Sequence, residues 1–461
     1  MANGIESGNS VTSSADNGSI MYAYFISFVA AVGGLLFGFD TGVISGAIPF
    51  IIDHFSLNSH QAGFAVSNLM IACTVGATFS GPLTDRFGRK KILILAAFLF
   101  VASAVMSAFP RTFSELIVAR FIGGLAVGVA SVISPMYIAE ISPAHIRGRL
   151  VALNQLAIVT GILMSGVSNW LLVDIGANNW RWMFAAEAMP AGLFLIALFY
   201  IPDSPRWLLK QGISDAAYKV LARVGGSAHA EIEMRQIKEN LDQEEGTLHE
   251  LFRPGLRKVL LVGVLLALFA HITGIDTIIY YGPIIFMKAG YQSASSALLA
   301  TVAIGITNLV FTIVGISMVD KFGRKNLLLT GMAIMTVAIT LVGYTFQSET
   351  INPILIIVPT LVFCASFTMS MGVVIWVYLS EIYPTKIRGR AVSIATMVLW
   401  LSNVVIAQVF PWIMEKIAGN TFYVFSGICV IAFIFIWTMI TETKGKTLEE
   451  IEKMWGGERQ L

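Results

Sequence analysis

The sequence has few charged residues. Only 13% of its 461 residues are Asp, Glu, Lys or Arg, whereas soluble domains usually carry about 25%. Apolar residues make up 56% of the chain. A water-soluble fold with so few charges could not cover its surface. The composition therefore excludes a soluble protein and indicates one that is embedded in a membrane.

Cysteine and histidine are scarce and scattered. The three cysteines lie singly in apolar stretches, which excludes a disulfide framework, and the six histidines lack metal-ligand spacing. Basic and acidic residues nearly balance at 30 and 28, so no basic face points to nucleic acid. We expect no cofactor, no metal and no nucleic-acid partner. No helix carries a nucleophile with a base and no loop could cradle a phosphate, which argues against an enzyme and against ATP-driven transport.

Long apolar runs dominate the rest of the sequence. A helix of about 20 apolar residues is long enough to cross a bilayer. The runs predict an all-α membrane protein with twelve transmembrane helices in two six-helix halves. The predicted spans are 22–50, 60–83, 92–109, 114–139, 148–173 and 182–201, followed by 258–287, 296–318, 327–346, 353–379, 390–413 and 421–441.

Three segments lie outside these bundles. Residues 1–21 are rich in Ser, Asn and Gly and lack the basic start of a signal peptide, which predicts a disordered, uncleaved leader. Residues 202–257 are dense in charge and predict a loop with short amphipathic helices, and 442–461 form a tail. The two bundles are thus 22–201 and 258–441.

The basic residues predict the orientation in the membrane. Of the 30 Lys and Arg residues, 25 lie in the loops and tail on one side, four lie on the other side, and Arg120 lies within a span. By the positive-inside rule, the side with 25 faces the cytoplasm. Both termini are therefore predicted to be cytoplasmic.

Two motifs return in the second half. Residues 85–90 (DRFGRK) match 320–325 (DKFGRK) at an offset of 235, and 140–149 (EISPAHIRGR) match 381–390 (EIYPTKIRGR) at an offset of 241. Such a repeat indicates duplication of a six-helix unit. Parallel six-helix repeats predict a central site between two halves that move against each other.

These motifs carry a family resemblance. Residues 81–90 (GPLTDRFGRK), the paired loops with Glu140 and Glu381, 202–208 (PDSPRWL) and 442–445 (ETKG) together resemble the sugar porters of the major facilitator superfamily, over about residues 25–450. The resemblance implies the major facilitator fold and proton-coupled symport of a monosaccharide, a pentose or a hexose, across a cell inner membrane by a monomer. A sugar or cyclitol uniporter, a cyclitol symporter and a sugar sensor remain as alternatives.

Asp40 and Arg120 are the predicted coupling residues. An intramembrane carboxylate is costly and by default functional, and Arg120 is the only basic residue in the interior of a predicted span of the first half, since Arg149 lies at the very start of its span. Forming the pair favours the charged carboxylate, and separating it favours the protonated form. The resemblance adds that sugar porters typically have Asp at this first-helix position in proton symporters and Asn in facilitators. His271 is the rival proton carrier.

The substrate site is predicted near the middle of the bilayer. A sugar needs amides and carboxylates for its hydroxyls and aromatic faces for its C–H surfaces. By resemblance, Gln155, Asn308, Trp376 and Trp400 occupy sugar-binding positions. In the seventh span a family glutamine is replaced by His271 and an asparagine by Asp276, so hexose selectivity cannot be assumed. The complete predicted set is Gln155, His271, Asp276, Asn308, Trp376 and Trp400.

His271 and Asp276 are five residues apart, which places them roughly 140° apart on a continuous helix. They could face one ligand only if the helix breaks, and Gly274 is the predicted break.

The repeated loops also predict a cytoplasmic gate. Carboxylates and guanidinium groups at matching positions of both halves could hold the cytoplasmic ends together while the external side is open. The alternative is that these charges only set the topology, since exposed pairs contribute under about 1 kcal/mol each. The predicted gate residues are Asp85, Arg89, Glu140, Arg147, Arg324, Glu381 and Arg388.

Overall fold

The structure is a computed structural model that describes residues 18–241, 251, 256–348, 353–384, 387–446, 450, 451 and 454. Within these residues it contains helices and no strands, and twelve of its helical segments are long and apolar enough to cross a membrane. The predicted all-α class and the twelve spans are therefore confirmed. Most of the predicted leader, residues 1–17, lies outside the described residues.

The first bundle contains seven helices, because a turn at Glu187 divides the sixth span. They are α1 (Ile20–Phe55), α2 (Ser59–Phe87), α3 (Arg89–Ala108), α4 (Phe113–Ile141), α5 (Arg147–Leu172), α6 (Asn179–Ala186) and α7 (Ala188–Leu198). Helix α1 begins two residues earlier than predicted, because the Ser19 hydroxyl accepts a hydrogen bond from the Tyr22 N–H and caps the helix.

Three short helices follow in the charged loop, and eight α-helices and one π-helical turn form the second bundle. The loop holds α8 (Pro205–Lys210), α9 (Ser214–Gly225) and α10 (Ser227–Leu241). The second bundle holds α11 (Leu256–Ile272), α12 (Ile275–Lys288), α13 (Ala294–Phe322), α14 (Arg324–Gln347), α15 (Pro353–Phe367), a π-helical turn (Thr368–Gly372), α16 (Val373–Ile382), α17 (Arg388–Ile417) and α18 (Asn420–Met439).

Glycine permits the closest helix contact in the first bundle. A methyl group on Gly38 of α1 would lie 1.9 Å from the Ile158 carbonyl oxygen of α5, and one on Gly161 of α5 would lie 2.0 Å from the Leu35 carbonyl oxygen. Only glycine allows the two backbones to approach this closely. This packing holds the middle of α1, which carries Asp40, against α5.

The bundle has two distinguishable ends. At one end α2 turns into α3 at Gly88 (φ +93°) and α13 turns into α14 at Gly323 (φ +86°), conformations that favour glycine. These turns lie in the repeated basic motifs, so we call this end the basic end and the other the opposite end.

Candidate functional site

An ion pair lies buried halfway along α1. The Arg120 guanidinium of α4 donates one hydrogen bond to Asp40 Oδ1 and another to the Asp40 backbone carbonyl oxygen at 3.2 Å. Both residues are almost completely buried, and the guanidinium also lies over the Phe184 ring. The structure thus brings together the two residues that the sequence predicts as a pair.

The pair leaves polar atoms without partners. Neither Asp40 Oδ2 nor Arg120 Nε forms a hydrogen bond with another described residue. A buried carboxylate with one free oxygen carries an unmet solvation cost. Such a group can take up a proton at the free oxygen when its partner moves.

A second carboxylate lies near this pair. Glu187, at the turn between α6 and α7, is 1% exposed, and its Oε1 has no hydrogen-bond partner among the described residues. The charges of Asp40 and Arg120 both act on it. The sequence analysis missed Glu187, although an acidic residue within the predicted span 182–201 was an available signal. The first bundle therefore holds two carboxyl groups and one guanidinium in its interior.

The seventh span breaks where the sequence predicts. Helix α11 ends at Ile272 and α12 begins at Ile275, and Gly274 between them has φ +94°. The break turns the His271 ring towards Asp276, and His271 Nδ1 contacts Asp276 Oδ2. Both side chains are mostly buried. They form a histidine–carboxylate pair near the middle of the span.

Asn403 of α17 joins this pair to α12 and α2. Its side-chain amide lies 3.2 Å from His271 Nδ1 and donates to the Tyr280 hydroxyl at 3.0 Å. The Tyr280 hydroxyl also lies 3.9 Å from Met70 Sδ, which belongs to the first half. The sequence analysis missed Asn403, which lies one helical turn after Trp400.

Asn308 lies against the π-helical turn of the tenth span. Its Oδ1 accepts a hydrogen bond of 2.9 Å from the Thr368 hydroxyl, and both residues are buried. A π-helical turn locally interrupts the regular hydrogen-bond ladder and is frequent at functional sites. The tenth span is therefore irregular although it lacks a Gly-Pro-rich break.

The remaining predicted binding residues have different surroundings. Trp400 is 7% exposed, and its ring centroid lies 5.7 Å from that of Phe37, across the two halves. Gln155 is half-buried, and its side chain forms no hydrogen bond with another described residue. Trp376 is 43% exposed. The structure thus groups His271, Asp276 and Trp400 with Asn403 on neighbouring helices, and it leaves Trp376 in a more open location.

The basic end of the first half contains a closed polar network. Arg89 forms a bidentate pair with Glu140, with distances of 2.9 and 3.0 Å. Asp203 accepts the backbone N–H groups of Arg89 at 3.0 Å and of Ser204 at 2.9 Å, and the Ser204 hydroxyl donates to Glu140. Asp203 therefore caps α3, because its negative charge lies at the helix N-terminus.

The second half repeats this network residue by residue. Arg324 forms a bidentate pair with Glu381, with distances of 2.7 and 3.2 Å. The Thr443 hydroxyl donates to Glu381 at 2.7 Å, and Glu442 accepts the Arg324 N–H at 2.9 Å. Residues 202–208 and 442–445, which the sequence analysis did not relate to each other, are thus a third repeated pair.

In this structure the predicted gate residues pair locally. Asp85 contacts Arg89 and Lys210, Arg147 contacts Glu233 of α10, and the two bidentate pairs each stay within one half. Arg388 donates to the Tyr383 carbonyl oxygen of its own half. The predicted gate concerns the state in which the external side is open, and it stays a prediction. Each half contains both the carboxylate and the guanidinium group of its bidentate pair, so these pairs form within one half.

Contacts between the halves lie at the opposite end instead. The Ser67 hydroxyl donates to Gln408 Oε1 at 2.7 Å, and Gln408 Nε2 donates to the His60 carbonyl oxygen at 3.0 Å. The His60 ring stacks on Trp412 at a centroid distance of 6.4 Å. These residues connect α2 of the first half with α17 of the second near the opposite end. The structure is therefore closed at that end.

The cap at Glu442 gives a test of the repeated network. Burial opposes ionisation of its carboxyl, but four backbone N–H groups outweigh this effect and lower the pKa of Glu442 below its usual value. A lost cap costs about 1 kcal/mol, which corresponds to about 2–4 °C for bundles of this size. We expect Glu442→Gln to lower the melting temperature of the purified protein by that amount at pH 7.

The pH dependence of this difference has a definite sign. A carboxyl whose folded pKa is lowered stabilises the fold above its unfolded pKa, and this contribution is lost as the pH falls through the folded pKa. The difference in melting temperature between the unmodified protein and Glu442→Gln should thus shrink below about pH 4.5. Reaction of a thiol dye with the buried Cys73, Cys364 and Cys429 reports unfolding, and the exposed Glu415→Gln is the control. A difference that does not vary with pH would contradict the cap.

The structure has two related bundles, with polar clusters halfway across the membrane and contacts between the halves near one end. This arrangement defines a membrane transporter of the alternating-access type. The chain belongs to a known family of this class, because the model of the family Sugar (and other) transporter matches residues 26–455. The family consists of transporters and not of enzymes.

Curated relatives and solved structures agree with this assignment. The chain is 42% identical to an arabinose-proton symporter of Bacillus subtilis, over 95% of this chain and 96% of the relative. It is 38% identical to a D-xylose-proton symporter of Escherichia coli, over 94% and 96%. The inward-open structure of the xylose transporter XylE from E. coli matches with a TM-score of 0.83 at 37% identity, covering 95% of this chain and 100% of that one.

Proposed function

We propose that this protein is a proton-coupled symporter that carries a monosaccharide, a pentose or a hexose, by alternating access. The observation that carries the proposal is the buried Asp40–Arg120 pair in the middle of α1. An ion pair in a membrane interior marks a proton or substrate path. The symporter names of the two relatives agree with proton coupling.

Helix α1 connects the proposed proton site with the proposed sugar site. Phe37 lies three residues before Asp40, which is about one helical turn, and its ring lies against Trp400 of the second half. A shift of α1 that separates Asp40 from Arg120 would therefore also move a wall of the space between the halves. Proton binding and sugar binding can thus favour the same conformation.

The substrate class follows from the side chains near the middle of the spans. Gln155, His271, Asp276 and Asn308 supply donors and acceptors for hydroxyl groups, and Asn403 adds an amide to the same set. Trp400 and Trp376 offer aromatic faces for C–H surfaces. We propose this set as the sugar site. The His271–Asp276 pair also offers a second group that could carry a proton, so both carboxyl sites need a test.

The conformation supports the proposed role of the basic ends. The contacts between the halves near the opposite end and the similarity to an inward-open transporter correspond to an inward-facing state. In an outward-facing state the basic ends would approach each other, and their charges would then act across the halves as the cytoplasmic gate. We place the helix bundles in the lipid bilayer of the cell membrane, with the basic end and both termini on the cytoplasmic side. We take a monomer as the working unit.

One experiment tests the substrate class and separates the alternatives. The protein is reconstituted in liposomes, and uptake of a labelled sugar is competed with pentoses, hexoses and cyclitols. A monosaccharide symporter should be inhibited by pentoses or hexoses and should accumulate sugar when the outside is acidic. Inhibition by cyclitols alone would indicate a cyclitol carrier, uptake without accumulation a uniporter, and binding without flux a sensor.

A further inference from the structure

The free oxygen of Asp40 faces a second polar side chain. A methyl group on Gly123 of α4 would lie 2.7 Å from Asp40 Oδ2 and 2.4 Å from the Ser103 hydroxyl of α3. These two distances limit the separation of the two oxygens to about 5 Å. A single water molecule can bridge oxygens at such a distance. The Ser103 hydroxyl is therefore next to the one carboxylate oxygen that Arg120 does not bind.

Ser107 continues this row towards the opposite end. It follows Ser103 by four residues, so the two side chains lie on the same face of α3 and about 6 Å apart along its axis. Helix α3 runs from the basic end to Ala108 at the opposite end, and Ser107 is the last residue but one. The next residue after the helix, Phe109, is 72% exposed. The row thus begins within one turn of the C-terminus of α3.

The Ser107 hydroxyl is completely enclosed and has no hydrogen-bond partner among the described residues. Ser103 is 2% exposed, and its hydroxyl likewise donates to no described residue. Many buried serine and threonine hydroxyls donate to a carbonyl one turn earlier, as Thr84 and Thr312 do. Buried polar groups without a protein partner usually bind ordered water. The two serines therefore have free hydrogen-bonding capacity between Asp40 and the opposite end.

The duplicated half shows that helix packing does not require these hydroxyls. At the offset of 235 residues, Ser103 and Ser107 correspond to Ala338 and Val342 of α14, which are also buried. The two halves also differ in how many of their buried polar atoms lack a hydrogen-bond partner. Of the thirteen buried side-chain atoms without a partner within the described ranges, eleven lie in the first half and two in or beside the second. The unmet polar atoms thus concentrate in the half that holds Asp40.

We propose that Ser103 and Ser107, with water between them, carry protons between the solution at the opposite end and Asp40 Oδ2. Each oxygen along the row accepts one proton and passes another on, so the serines are unchanged at the end and only the carboxyl gains a proton. This route runs inside the first half and does not use the space between the halves. The inference depends on the proposed role of Asp40 in coupling.

The titratable groups that act on Asp40 do not offer a second route from that end. Arg120 occupies the other carboxylate oxygen, and the Cys73 thiol and Glu187 are both buried. The two serines are the polar side chains that α3 places between Asp40 and its C-terminus. It gives external protons access to Asp40 independently of the sugar.

The test uses proteoliposomes of the full protein with Ser103→Ala, Ser107→Val and both together, which copy the residues of the second half. Positioned proton-transfer groups typically contribute about 10²–10⁴-fold, and water can replace part of this. We expect the double variant to slow sugar uptake driven by an acidic exterior at least about tenfold. Sugar–sugar exchange at equal pH should keep its normal rate. Thr at both positions retains the hydroxyls and should restore uptake.

Ser131→Ala is the matched control, because that hydroxyl already donates to the Gly128 carbonyl oxygen at 2.8 Å. Unchanged acid-driven uptake in the double variant would overturn the inference, and so would an equal loss of uptake and exchange, which would indicate a structural role. Absence of any sugar transport in the unmodified protein would instead contradict the proposed function and not the proton route.

Discussion

Asp40→Asn should abolish sugar accumulation driven by a pH gradient and leave sugar–sugar exchange intact. The amide keeps the shape of the side chain and can still accept a hydrogen bond from Arg120, but it cannot bind and release a proton. Exchange needs only the loaded transporter to change conformation, so it does not require proton release. The measurement compares both fluxes in the same proteoliposomes, with an acidic exterior for accumulation and equal pH for exchange.

Two controls identify the role of this carboxyl. Asp174→Asn removes an exposed carboxylate in the loop after α5 and should leave both fluxes unchanged. Glu187→Gln removes the other buried carboxyl near Arg120 and shows whether the pair works alone. Because Asn leaves the buried Arg120 without a charged partner, a cost of about 3–5 kcal/mol is possible, so the melting temperature must be measured as well. Retained uphill accumulation in Asp40→Asn would transfer the coupling role to His271–Asp276 or to Glu187.

Asp276→Asn should change the preference between pentoses and hexoses by roughly tenfold. The variant introduces the asparagine that sugar porters usually have at this position, and it removes the carboxylate that faces His271. Losing or altering one buried hydrogen bond costs about 1–3 kcal/mol, and 1.4 kcal/mol is a factor of ten in affinity. His271→Gln should shift the preference by a similar factor. The ratio of half-inhibitory concentrations for the two sugar classes gives the result.

The two changes should not act independently. His271 Nδ1 contacts Asp276 directly, and neighbouring residues in one network usually show non-additive effects. The double variant should therefore shift the preference by less than the product of the single effects. Asp174→Asn, in the exposed loop after α5, is a control that should not alter preference. An unchanged preference in both single variants would remove this helix from the sugar site.

Local signals explain which parts of the site could be predicted. Apolar runs mark the twelve spans, a charge inside a span marks Asp40 and Arg120, and Gly274 marks the break in the seventh span. Each signal is readable within a short segment, because the membrane penalises polar groups and helix breaks wherever they occur. The pairing of Asp40 with Arg120 followed because Arg120 is the only basic residue in the interior of a predicted span of its half.

The parts that could not be predicted depend on how helices pack. Nothing in a linear pattern places Glu187 beside α1, or Asn403 beside His271. The gate residues have the expected chemical types, but each half satisfies its own charges, so the pairs form within the halves. The caps at Asp203 and Glu442 likewise depend on the chain returning to a helix N-terminus more than 110 residues earlier in the sequence.

The proton movement that accompanies sugar entry into the liposomes tests the central claim most directly. Proteoliposomes with a pH-sensitive dye inside and equal pH on both sides receive a sugar that the transporter accepts, with an ionophore to balance charge. The account predicts that the interior acidifies when sugar enters and that Asp40→Asn transports sugar without this acidification. Sugar entry through the unmodified protein at constant internal pH would contradict proton coupling and would leave a uniporter.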